Sequence, residues 1–288
     1  MAIVLGQPAP PDLDGVLSAL REWQYDDTPL QLHPGDVGWH WRFGADATAA
    51  ALRTWTRDGD LVAVGMLDSP ALVRLAVAPD LHRDHAVAEQ LVADLTRPEA
   101  GVLGPGTVYV AAPPRALVED LLDEEGWATD EPWTPLQRDL STPVEGCPLR
   151  LEVVGPQLVH ERVAVQRAAF DNSTFTEERW RAMAAGPAYS DARCLLGYDR
   201  EGQAVAAVTV WSAGPGRPGL LEPLGVHRDH QGHGYGTAIG VAAAAVLQEI
   251  GSSSAIVATP TANAAALSTY VAAGFTALPE VRDRRRPM

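Results

Sequence analysis

Two stretches of the chain can be laid on one another. Residues 75–85 (LAVAPDLHRDH) run alongside residues 224–234 (LGVHRDHQGHG), and Glu125-Gly126-Trp127 resembles Ala273-Gly274-Phe275. Val77 to Gly126 is 49 positions and Val226 to Gly274 is 48. One matching hexamer would be chance, but two landmarks at matched spacing point to an internal duplication. A length of 288 residues agrees with two domains, since a domain takes roughly 100–200 residues. A break of turn-formers at 141–148 (STPVEGCP) marks the boundary. The expected organisation is a domain over 1–140, a linker over 141–148 and a second domain over 149–288.

The second half has the clearer patterning. Leu149–Val154 reads as a strand and Val159–Phe170 as a helix by its apolar spacing. Thr176 caps a second helix that ends at Gly186-Pro187. Strands follow at Arg193–Tyr198, Ala204–Trp211 and Leu220–Val226, the first two joined by the turn Asp199–Gly202. A helix over Gly234–Ile250, a strand over Ala255–Ala258 and a helix over Asn263–Ala273 complete the series. Gly274 stops that last helix, and Phe275 starts another strand. Helices thus alternate with strands around a mixed sheet.

Composition narrows the function. The net charge is -15, and every basic residue is Arg. A nucleic-acid binder needs a basic face, so none is expected as a partner. An acidic chain is compatible with a cationic substrate such as an amine, although most acidic proteins are simply soluble. Cys147 and Cys194 are too few for a disulfide framework or a zinc site, and no metal is expected. The start, MAIVLGQPAP, lacks the basic flank of a signal peptide. The longest apolar stretch, Ala238–Leu247, is too short to span a bilayer. A soluble, cytoplasmic protein is expected.

The strongest local signal is Gln231-Gly232-His233-Gly234-Tyr235-Gly236, placed after a strand and opening a helix. Glycines let a backbone come close to a ligand, and the free N–H groups of a helix start bind phosphate. The dinucleotide fingerprint fails, because it needs glycine at Thr237 or Ile239. The P-loop fails for want of a lysine. What remains is Q/R-x-x-G-x-G/A, the pyrophosphate turn of acyl-CoA-dependent acetyltransferases, or a glycine-rich turn with no ligand.

Two more motifs accompany it in order: the strand Leu220-Leu-Glu-Pro-Leu-Gly-Val226, and N-x-x-A-x-x-x-Y-x-x-x-G-F at Asn263, Ala266, Tyr270, Gly274 and Phe275. With these the chain, over roughly residues 149–286, resembles the GNAT acetyltransferase superfamily. The resemblance and the duplication together imply an α/β fold of two tandem GNAT-like domains. Each would be a mixed, mostly antiparallel twisted sheet flanked by helices.

The resemblance also implies roles. Backbone groups of Leu224, Gly225 and Val226 would pair with the pantetheine arm of acetyl-CoA as an added strand does. The N–H groups from Gln231 through Gly232, His233, Gly234, Tyr235, Gly236 and Thr237 would cradle its pyrophosphate at the positive end of the helix. Arg228, His230 and His233 could add positive charge there, or simply be solvated. Asn263 would bond the cofactor arm or cap its helix, with Thr261 a competing cap. Tyr270 would protonate the departing thiolate, unless it is only a core residue. Glu222 would be the base, or part of a structural ion pair. By strand alternation it shares a face with Leu224 and Val226. Many family members place the base two residues earlier, where this chain has Leu220. The acceptor site would draw on residues 170–175, with Asp171 and Phe175 as contacts and Tyr189 and Trp211 as walls.

At the positions of Gln231, Gly234, Gly236 and Tyr270 the first half has His82, His85, Val87 and Leu122. A β-branched residue where backbone must meet phosphate is sterically poor, and Leu cannot donate a proton. The first half therefore reads as a degenerate copy that is structural or shapes the acceptor pocket. The expected activity is acetyl transfer to a small-molecule primary amine by direct attack in a ternary complex. A CoA-binding sensor without turnover and a mycothiol-synthase-like enzyme are the alternatives. With two copies in one chain, a monomer holding an internal pseudo-dimer is expected.

Overall fold

The computed structural model describes residues 2–27, 30–144 and 146–287. Met1, Thr28, Pro29, Met288 and, within the expected linker, Glu145 lie outside the described residues. Along the chain come β1 (Ile3–Gly6), α1 (Leu13–Glu22), α2 (Pro34–His40), α3 (Ala45–Ala51), β2 (Leu52–Arg57), β3 (Asp60–Ser69) and β4 (Leu72–Val77). Next are α4 (His85–Thr96), β5 (Val108–Ala111), α5 (Leu117–Glu124) and β6 (Ala128–Asp139). Then follow β7 (Arg150–Val153), α6 (Val159–Ala169), α7 (Glu177–Ala184), β8 (Ala192–Tyr198), β9 (Ala204–Ser212) and β10 (Gly219–Val226). The chain closes with α8 (Tyr235–Glu249), β11 (Ser254–Pro260), α9 (Ala264–Ala272), β12 (Thr276–Ala277) and β13 (Val281–Arg286). From β7 to α9 each element read from the sequence is present, with ends displaced by a few residues.

The fold is mixed α/β and divides into two units. Neither is contiguous in sequence. One comprises residues 1–33, 45–133 and 280–288; the other comprises 34–44 and 134–279. The boundaries 1–140, 141–148 and 149–288 are corrected accordingly, because two segments are exchanged. Residues from Glu280 belong to the first unit, where β13 pairs antiparallel with β5 and with residues 128–133 of β6. Residues 34–44 belong to the second unit, and a steric fit explains why. Gly38 of α2 lies so close to the Trp211 ring of β9 that a Cβ there would stand 2.4 Å from Cζ3. Trp41 is matched in the same way to Gly186, whose Cβ would stand 2.6 Å from its ring.

In the first unit the strand order is β1-β2-β3-β4-β5-β13-β6, antiparallel except for the parallel pair β4–β5. Its core includes Trp55, Leu75, Leu91, Leu95, Leu122 and Trp127. In the second unit residues 134–139 of β6 lead the order β6-β11-β10-β9-β8-β7, with β12 on β6. Here the parallel pair is β10–β11, and α8 is buried along Ala238, Ile239, Ala242, Ala243 and Leu247. The expected strand at Phe275 shrinks to Thr276–Ala277.

Gly38→Val should therefore drive a side chain into a fully packed indole. Overpacking of this kind costs about 1–3 kcal/mol, so the melting temperature followed by circular dichroism should fall by several degrees. An unchanged melting temperature would show that α2 does not close on Trp211.

Candidate active site

Strand β10 has a proline where a central strand needs a donor. Pro223 has no N–H, so it fits inside a sheet only at a bulge. The ladder with β9 shows that bulge: Leu221 pairs with Val210 and Leu224 with Val208, three steps against two. Trp211 Nε1 donates to the Glu222 carbonyl at 2.7 Å. This gives the displaced carbonyl a partner. On its other side β10 pairs with β11 only at Gly219 and Leu220. Beyond that point the strands part. On that side Leu224 and Val226, paired with β9 on the other, have no strand partner among the described residues.

The turn after β10 is built for close approach. Gly232 and Gly234 have φ of 81° and 79°, and a Cβ at either would meet nothing within 4 Å. Gly234 is the N-cap of α8 and has no side chain to satisfy the first N–H groups of that helix. Gly236 differs: a Cβ there would stand 2.9 Å from Thr269 Cγ2, so it permits α8 to pack on α9. His233 Nδ1 lies 2.9 Å from the Gln231 carbonyl, and its ring stacks on Tyr235 with centroids 5.8 Å apart. Arg228 is turned elsewhere, with Nε donating to Ala168 O at 2.9 Å and Nη2 paired with Asp171 Oδ1 at 3.1 Å. It closes the C-terminus of α6. Asn263 Oδ1 accepts from Ala266 N at 3.1 Å and caps α9, while Thr261 pairs with Thr134.

Tyr270 is buried on α9, its ring edge-on to Phe275 at 5.8 Å. Burial first, and the negative charge of Glu222 second, push its phenol above the ordinary range. The two candidate catalytic residues are thus electrostatic neighbours. Strict alternation placed Glu222 on the face of Leu224 and Val226; the extra residue of the bulge breaks that register. Pro223, immediately after it, was the available signal.

A cavity of about 530 Å³ lies beside this strand. Its wall is the α6–α7 connection from Phe170 to Phe175 with Gln166, Ala169, Trp39 and Arg42. Ala169 and Phe170 abut Gly225, where a Cβ would come within 2.7 Å of Ala169 Cβ. Of the expected acceptor residues, Asp171 and Phe175 line the cavity. Tyr189 and Trp211 do not; their rings meet edge-to-face at 6.0 Å, and Trp211 is 1% exposed. Trp39 and Arg42 were missed because they come from the exchanged segment. Trp39 packs on Phe175 with its ring tilted by 33° at 5.2 Å, and Arg42 lies 4.2 Å over the Trp39 ring.

Residues 157–275 match the model of the acetyltransferase (GNAT) family. The chain carries a GNAT acetyltransferase domain. Such a domain is an acyltransferase, of a family that uses acetyl-CoA as co-substrate. No curated protein matches the chain. Among solved structures, a tandem GNAT protein from the clavulanic acid biosynthesis pathway is 15% identical over 99% of this chain and 98% of its own, with a TM-score of 0.63. A GNAT-family acetyltransferase from Colwellia psychrerythraea is 16% identical over 99% of both chains, TM-score 0.60. A GCN5-related N-acetyltransferase from Sphaerobacter thermophilus is 20% identical over 99% of this chain and 95% of its own, TM-score 0.58. These likenesses bear on the fold, which they extend over both units.

The first unit repeats the strand parting but fills it. Strand β4 pairs with β5 over Leu72–Arg74 only. Past that point Leu32 N donates to Leu75 O at 3.0 Å and Val77 N donates to Gln31 Oε1 at 3.1 Å. Leu75 and Val77 correspond to Leu224 and Val226. The helix start is filled too. Asp84, which corresponds to His233, is the N-cap of α4; it accepts from Val87 N at 3.0 Å and pairs with Arg57. The Val87 N–H, then Arg57, hold its carboxyl below the usual range. A fixed anion thus sits where the second unit leaves bare N–H groups. Among the described residues there is no cluster of His, Cys, Asp or Glu able to hold a metal ion, and no helix long and apolar enough to cross a membrane.

The raised Tyr270 phenol has a measurable consequence. Above about pH 10, the ordinary tyrosine value, the unfolded chain releases a proton that the native state still holds at Tyr270. Stability present below that pH is therefore lost as pH rises. Tyr270→Phe should show a smaller drop in melting temperature between pH 8 and pH 11 than the parent. Equal drops would mean that the phenol titrates normally.

Proposed function

We propose that the second unit transfers the acetyl group of acetyl-CoA to the primary amine of a small molecule by direct attack in a ternary complex. The first unit is proposed to take no part in holding the co-substrate. The observation that carries this is the contrast between two equivalent sites. In one, the strand parting and helix start are open; in the other they are filled by Gln31, Leu32 and Asp84.

The residues present fit acetyl-CoA. Leu224 and Val226 offer an unpaired strand edge, and the turn offers N–H groups beside two glycines with open space. Residues Gln231–Thr237 would hold the pyrophosphate. Bound there, acetyl-CoA supplies an activated thioester. Glu222 accepts the proton that the ammonium of the acceptor must lose, directly or through a water. Tyr270 delivers a proton to the leaving sulfur. Its raised phenol keeps that proton through the neutral range, where an ionised phenolate would have nothing to give.

Acetyl-CoA should raise the melting temperature, since a ligand at 100 times its Kd adds about 2.7 kcal/mol. Gly234→Val should abolish the rise, because a β-branched residue at φ of 79° is strained and projects into the open turn. Tyr270→Phe should keep the rise and lose turnover by roughly 10- to 1000-fold, within the usual worth of general acid–base catalysis. Glu222→Gln should lose activity most at low pH, where the amine carries its proton. A full shift in Gly234→Val would remove the proposed pyrophosphate site. Full turnover in Tyr270→Phe, with chemistry shown to limit the rate, would remove the acid.

A further inference from the structure

Behind the cavity wall lies a buried cation with no counter-ion among the described residues. Arg162 of α6 is 0% exposed and forms no ion pair with any described carboxylate. Its Nε donates to Cys194 Sγ at 3.2 Å, its Nη1 donates to Gln166 Oε1 at 2.8 Å, and its Nη2 has no partner. The guanidinium stands 5.2 Å from the Phe175 ring. Gln166 and Phe175 both line the cavity. Desolvating a guanidinium unpaired is unfavourable, and an orphaned buried donor calls for a reason.

The reason lies in what Arg162 does to Gln166. An amide side chain has one acceptor end and one donor end. Arg162 holds the acceptor end, so Gln166 Nε2 is turned the other way. No described residue accepts from Nε2, and it is not among the buried polar atoms left without a partner. The cavity thus meets two N–H donors polarised by a charge one layer behind them. The one cavity-lining carboxylate, Asp171, is already paired with Arg228. A donor end backed by an unneutralised cation recognises an anion.

We propose that the acceptor carries a carboxylate as well as its amine, and that Gln166 binds this carboxylate while Arg162 acts as its positioning residue. This rests on the acetyltransferase reading above and narrows it to amino acids.

Matched acceptors test it: phenylalanine against phenethylamine, and 4-aminobutyrate against butylamine, with thiol release as readout. In one of the pairs at least, kcat/KM should favour the acid by roughly 10- to 100-fold, the worth of a hydrogen bond to a charged group. Gln166→Glu should bring that ratio to one or below, because the new carboxylate pairs with Arg162 and repels the acid. Arg162→Met should raise KM for the acid while kcat holds, and Gln166→Leu serves if that variant fails to fold. Equal kcat/KM within both pairs, or a preference that survives Gln166→Glu, would overturn the proposal and leave the transferase reading standing. If no acceptor turns over, calorimetric titration of each pair into the CoA-loaded protein decides. Selective binding of an acid supports the proposal, and equal or absent binding overturns it. Loss of the acetyl-CoA thermal shift would instead strike the transferase reading itself.

Discussion

A β-sheet normally leaves no room between neighbouring strands, because each backbone group takes its partner from the next strand. In the second unit that rule is suspended at one place. Pairing between β10 and β11 stops after Leu220 and Ile256, so the last residues of β10 stay paired with β9 on one side and have no paired strand on the other. The turn that follows needs two left-handed residues, and only glycine accepts both without strain. The uncapped start of α8 then adds a positive end to the same opening. An open strand edge, a turn without side chains and a bare helix start are three forms of one unmet hydrogen-bonding demand. Acetyl-CoA, with an amide-bearing arm and a pyrophosphate, can meet all three.

The first unit shows what happens when the chain meets that demand itself. Its sheet has the same parallel pair at the same place, so the architecture does not require a ligand. Gln31 and Leu32 supply the missing strand contacts and Asp84 supplies the cap. Each is a local solution to the rule that buried backbone groups find partners. Together they occupy in the first unit the positions that stay open in the second. The residues His82, His85, Val87 and Leu122 set the first half apart at the positions a ligand would meet. The plug by Gln31 and Leu32 sets it apart on the side of the backbone, and no motif at those positions announces it.

The parts of the fold legible in the sequence are those set by local chemistry. Thr176 accepts from Arg179 N and starts α7 as a capping residue should, and Gly274 ends α9 with φ of 84°. Periodicity placed the strands of the second unit because they are nearly continuous apolar runs between turn-formers. The pairing partners of distant segments were not legible. Nothing in VRDRRR at 281–286 says that it will pair with β5 rather than follow β12 in the second unit. Nothing in PGDVGWH at 34–40 says that its second glycine fits an indole far along the chain. The face of Glu222 was misread for another reason. Alternation holds only while the ladder is regular, and Pro223 ends that regularity.

These three misreadings meet at one point. The bulge moves Glu222, its carbonyl accepts from Trp211, and the Trp211 ring is covered by Gly38 of α2. The setting of the candidate base therefore depends on a helix some 180 residues away in sequence, which contiguous halves would assign to the other domain. The same segment brings Trp39 against Phe175 and Arg42 into the cavity wall. One short helix thus bears on both the strand that carries the candidate base and the wall that would face the acceptor. A duplicated chain whose halves stayed separate could lose its first half without harm to the second. Here the second unit includes residues 34–44 and is incomplete without sequence from the first half.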